Sequence, residues 1–89
     1  MSLIDGVSFR YDPEHDLMLI DVLGAQKRRN GMVVYEELES APGIHVGWYE
    51  DDESETVVSF NILDYELKNR KKAQRMFPQF QFPTPEEVR

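Results

Sequence analysis

The stretch Tyr11-Asp12-Pro13-Glu14-His15-Asp16-Leu17-Met18-Leu19-Ile20 constrains the fold of this chain more than any other. Asp12 stands where its side chain can accept a hydrogen bond from the Glu14 N–H, and Pro13 sets the backbone angle required at the second position of a type I turn. A three-residue loop, Pro13 to His15, then joins two antiparallel strands. His15 falls at the position of positive φ, which histidine takes more readily than most side chains. After the turn, Met18, Ile20 and Val22 alternate with Leu17, Leu19, Asp21 and Leu23. Alternate residues of a strand face opposite ways, so the first set suits a core. The second set is apolar apart from Asp21, and that side therefore needs cover from a helix or from another chain. Before the turn, Val7, Phe9 and Tyr11 alternate with Ser8 and Arg10, the pattern of a half-buried edge strand.

The rest of the chain continues in the same period. Asn30-Gly31 is a hairpin-turn signal following the basic triplet Lys27-Arg28-Arg29, and Met32 to Tyr35 resumes a strand that Ser40-Ala41-Pro42-Gly43 breaks. Ile44, Val46 and Trp48 alternate with His45, Gly47 and Tyr49 in a fourth strand. Thr56 to Leu63 forms a fifth, with Val58, Phe60 and Ile62 inward. Strands at this short spacing predict an antiparallel meander. From Asp64 the residues favour a helix, with Asp64 as N-cap, Leu67 as its nearest apolar contact and cations in its last turns. Phe77-Pro78-Gln79-Phe80-Gln81-Phe82-Pro83-Thr84-Pro85 reads as an extended tail, since its prolines resist helix. The expected fold is α+β and mostly β: about five antiparallel strands with one C-terminal helix. Residues 1–76 form that domain. Residues 77–89 form the tail, packed on the chain's own sheet or on a partner subunit.

With 89 residues the chain makes one small domain, and without cysteine it has neither a disulfide framework nor a thiolate zinc site. No apolar run reaches the length of a membrane helix and the N-terminal residues lack a signal-peptide pattern, so a cytoplasmic protein is expected. The net charge of −7 disfavours unaided binding to nucleic acid or to an anionic membrane.

Asp12, Glu14 and Asp16 around His15 suggest a metal loop. However, the sixth position from Asp12 is Leu17 and the twelfth is Leu23, so the calcium-loop pattern of glycine and glutamate fails, and turn chemistry explains the spacing. Asp21, Glu36, Glu37 and Glu39 offer no pair that the sequence buries together. Neither His15 nor His45 stands near a nucleophile elbow that would activate Ser8, Ser40, Ser54 or Ser59. The sequence thus assigns no catalytic residue, no metal and no cofactor.

The motif Tyr11-Asp12-x-Glu14-x-Asp16-x-Met18-x-Ile20, followed by Val57-Val58-Ser59-Phe60-Asn61-Ile62-Leu63-Asp64, resembles a small prokaryotic family, domain of unknown function 2283, from Phe9 to Asp64. The longer loop with Lys27-Arg28-Arg29 and the Phe-Pro tail depart from that family. The resemblance implies a small, mostly antiparallel fold and carries no catalytic residues to transfer.

The expected role is a non-catalytic module that self-associates, a dimer being favoured, or binds another protein. Its contacts are Leu17, Leu19, Phe77, Phe80 and Phe82, because a free tail with three phenylalanines would itself invite association. The alternative is nucleic-acid binding through two basic clusters, Lys27, Arg28 and Arg29 with Lys68, Arg70, Lys71, Lys72 and Arg75, since local field can outweigh net charge. A small hydrolase or metal-dependent enzyme stands third.

Overall fold

In the computed structural model, which describes residues 7–22, 31–54 and 56–88, the chain builds one five-stranded antiparallel sheet. β1 (Ser8–Asp12) and β2 (Leu17–Asp21) form the N-terminal hairpin, and β3 (Val33–Leu38) and β4 (Ala41–Tyr49) form a second. β5 (Ser59–Ile62) lies between the hairpins, paired with β2 on one side and β4 on the other. The antiparallel strands and the helix after them match the expected class. Their order, β1-β2-β5-β4-β3, is not that of a sequential meander, because the last strand is central. Its residues explain the position. Phe60 and Ile62 are buried on one side, while Ser59 and Asn61 on the other are small and uncharged, so β5 accepts a neighbour along both edges. The edge strands β1 and β3 instead carry Arg10, Glu36 and Glu37, charges that discourage further pairing.

The hairpin turn differs from expectation in one detail with large effects. Asp12 pairs with Leu17, so the loop has four residues, Pro13 to Asp16, and the positive φ falls on Asp16 at 50° rather than on His15. Aspartate tolerates this left-handed conformation. Asp12 Oδ1 does accept from the Glu14 N–H at 3.0 Å, as the sequence indicates.

The helix begins with a π turn, Tyr65–Asn69, and continues as α1 (Arg70–Met76). The expected N-cap, Asp64, is itself left-handed at φ 49° and makes no side-chain cap. Asp16 caps the helix instead. Its carboxylate accepts from the N–H groups of Glu66 at 2.9 Å and Leu67 at 3.0 Å, and its carbonyl accepts from the Tyr65 N–H at 2.9 Å. The Tyr11 hydroxyl donates to the same carboxylate at 2.6 Å. Leu67 consequently points outward and is 78% exposed, so it is not the apolar contact the sequence suggested. Tyr65, Asn69 and Ala73 are the residues that this segment buries.

The tail packs on its own sheet. Phe60, fully buried, meets the rings of Phe77, Phe80 and Phe82 at centroid distances of 5.1, 5.4 and 5.4 Å, each edge-on. Gln74 holds the tail in place, donating to the Phe80 carbonyl and accepting from the Phe82 N–H. The buried Tyr65 hydroxyl donates to the Pro83 carbonyl at 2.6 Å, and burial pushes that phenol well above its ordinary range. The tail is not extended to its end, since Pro85–Val88 forms the short helix α2. Pro85 suits a first helical position, and the Glu87 carboxylate accepts from the Thr84 N–H that precedes it.

Partial burial pushes the Asp16 carboxyl up, but the Tyr11 hydroxyl and the two helix N–H groups outweigh it, and the net shift is downward. The folded carboxyl therefore titrates below the unfolded one. Its contribution is present above about pH 4 and is lost as pH falls through the folded value. Asp16→Ala is expected to lower unfolding free energy by about 2–4 kcal/mol, through the lost cap and an alanine held at positive φ. Urea denaturation at neutral pH measures this. Asp16→Asn should also be less stable at neutral pH, with a smaller further loss on acidification to pH 3.

Candidate functional site

Helix and tail lie against the side of the sheet that carries Met18, Ile20, Ile44, Val46, Phe60 and Ile62. The register places two complete rows of residues on the other side. One runs Ser8, Asp21, Ser59, Gly47, Tyr35, and the next runs Arg10, Leu19, Asn61, His45, Glu37, each in the order β1 to β3.

The shape of this face is set at Gly47. The Ser59 hydroxyl, in a buried residue of β5, donates to the Tyr35 hydroxyl at 2.9 Å, so the phenol of β3 lies across β4 to reach it. A Cβ on Gly47 would come within 2.6 Å of Ser59 Oγ and 2.7 Å of Tyr35 Cε1. Only glycine leaves room for the ring. Tyr35, 47% exposed, forms a ridge, and beside it an open groove of about 520 Å³ extends over β5 and β2 to β1, with Leu19 and Asn61 along it and Ser8 and Arg10 at its far side. At the opposite margin, Glu37 Oε2 accepts from the Gly43 N–H at 3.0 Å and lies 3.9 Å from His45 Nε2. Sequence reasoning missed this arrangement, although a glycine inside an alternating strand is itself a signal of close approach.

The residues expected to make contacts divide in two. Leu17 and Leu19 sit on the open side, each half-buried, with neither helix nor tail over them. Phe77, Phe80 and Phe82 are engaged with Phe60 inside the chain's own core, so of the two placements foreseen for the tail the intramolecular one is adopted. Of the basic residues, Lys27, Arg28 and Arg29 lie outside the described residues. Lys68 is 3.9 Å from the Asp64 carboxylate and Arg70 is 3.4 Å from that of Glu66, pairs one helical turn apart. Lys71 and Arg75 are exposed, and Lys72 is half-buried.

Ligand atoms of Asp12, Glu14 and His15 lie within 4.8 Å of one another. Asp12 uses both carboxylate oxygens in the turn, Oδ1 toward the Glu14 N–H and Oδ2 toward His15 Nδ1 at 2.7 Å, and this accounts for the grouping. The hydrogen bond from His15 is the main cause that holds the Asp12 carboxyl below its ordinary range. Glu36, Glu37 and Glu39 are exposed, and the Ser59 hydroxyl is committed to Tyr35. These carboxylates lack the shared burial that separates an acid from a base.

In comparisons with known proteins the chain matches no family model, no curated protein and no solved structure.

Gly47→Ala is expected to displace the Tyr35 ring and break its hydrogen bond to Ser59, at a cost of about 1–3 kcal/mol. A chemical melt gives the cost, and loss of the nuclear Overhauser contact between the Tyr35 ring and Ser59 reports the displacement.

Proposed function

We propose that this protein is a non-catalytic binding module that uses the open face of its sheet, self-association being its first mode. One observation carries the reading: helix and tail cover one side of a five-stranded sheet, and the other side presents Leu17, Leu19 and the Tyr35 ridge beside a groove. An antiparallel sheet with one solvated side usually alternates cleanly between apolar and polar residues, and β2 departs from that rule. A cytoplasmic setting and membership of the family that Tyr11 to Ile20 resembles belong to the same proposal. Among the described residues no helix is long and apolar enough to cross a membrane.

Nucleic-acid binding is the weaker reading. In the second basic cluster, Lys68 and Arg70 already face carboxylates of their own helix, and the chain's charge of −7 opposes a polyanion.

Sedimentation equilibrium tests the proposal. The wild-type chain is expected to associate as concentration rises, and Leu19→Lys to weaken that association about tenfold or more with an unchanged far-UV circular dichroism spectrum. A wild-type chain that stays monomeric across the micromolar to millimolar range overturns self-association.

A further inference from the structure

We infer that the occupant of the open face is a second copy of this chain, related by a twofold axis that runs along β5, with Tyr35 of each copy seated in the groove of the other and Arg10 of each paired with the partner's Glu37. The inference rests on the binding reading above and names its partner and register.

The argument starts from the strand order. β5 is central, with β2 and β1 on one side and β4 and β3 on the other. A twofold axis lying between two stacked sheets and parallel to β5 keeps every row at its own height and exchanges left for right. β1 then faces the partner's β3, and β2 faces the partner's β4. In the row Arg10, Leu19, Asn61, His45, Glu37, the cation at one end meets the carboxylate at the other, twice in each dimer. Leu19 meets the partner's His45, and Asn61 meets its own counterpart on the axis.

Opposite charges at the two ends of one row suit this symmetry, because the twofold brings each position against its counterpart on the other side of β5. Packed sheets stand about 10 Å apart, a gap that an arginine and a glutamate bridge between them. Arg10 is exposed and forms no ion pair among the described residues.

Shape agrees with charge. In the neighbouring row, Ser8, Asp21, Ser59, Gly47, Tyr35, the same operation sets the Tyr35 backbone opposite the partner's Ser8 and its ring, which lies over Gly47, opposite the partner's Asp21 in the same groove. Tyr35 is the ridge of this face, and the groove runs to Ser8 and Arg10 on the far side of β5. The ridge and the groove therefore exchange places under the operation, and the face is complementary to itself. A stable interface needs about 800 Å² from each partner. That is a modest fraction of the chain's 6062 Å² surface.

Charge exchange tests this register by sedimentation equilibrium on the full chain. Arg10→Glu alone places two Glu–Glu pairs in the dimer, and Glu37→Arg alone places two Arg–Arg pairs. Each is expected to weaken self-association about tenfold or more. An equimolar mixture of the two variants restores both opposite-charge pairs and is expected to dimerise as the wild type does. Ser8→Trp, at an exposed position away from Glu37, fills the groove and is expected to weaken the dimer in the same way, which keeps the test open if Glu37→Arg fails to fold. Dimers that ignore the charges at 10 and 37 and the bulk at 8, or a mixture that stays dissociated, overturn this register while leaving the open-face reading standing. A wild-type chain that never associates overturns both.

Discussion

The carboxylate of Asp16 joins the two halves of this fold. It belongs to the first hairpin, yet it closes the N-terminus of a helix whose Glu66 lies 50 residues later. A helix start leaves N–H groups without partners inside the helix, and an anion there also meets the favourable end of the helix dipole. The local candidate, Asp64, is turned away by its own left-handed backbone, so the hairpin supplies the acceptor. Because the Tyr11 hydroxyl holds the same oxygen that the Glu66 N–H uses, strand, turn and helix meet at one atom. The side of the sheet that the helix covers follows from this junction.

The two sides of the sheet carry different kinds of information. On the covered side the determinant is volume: Phe60 sits under three edge-on rings of the tail, an arrangement that needs aromatic bulk. On the open side the determinant is the absence of volume. Gly47 lets a tyrosine cross the strand between it and a serine, and a ridge and a groove arise from a single missing methyl group.

Local chemistry was legible in the sequence, and long-range choice was not. The Asp12–Glu14 hydrogen bond, the alternating strands and the antiparallel class follow from short-range rules that side-chain period and turn residues obey. The central place of β5 does not, because pairing depends on which edges remain free once both hairpins exist. In the sequence Asp16 is one carboxylate among several in a turn, and its real partners are N–H groups far along the chain. Asp64 looked like a cap by identity, and its positive φ removed it. For the tail, composition required cover for three phenylalanines without saying whose surface gives it. The Tyr35–Ser59 contact left only a trace, the glycine at 47.

The position of β5 also bears on how the molecule comes into being. Its four residues, Ser59 to Ile62, carry the ladder that links one hairpin to the other. The two hairpins have no ladder between them until this last strand is in place. Its ladder with β4 is local, Gly47 meeting Ser59, whereas its ladder with β2, where Met18 meets Ile62, closes a long sequence separation, a step that is slow relative to hairpin formation. The strand at the centre of the sheet is thus the last one that the chain supplies.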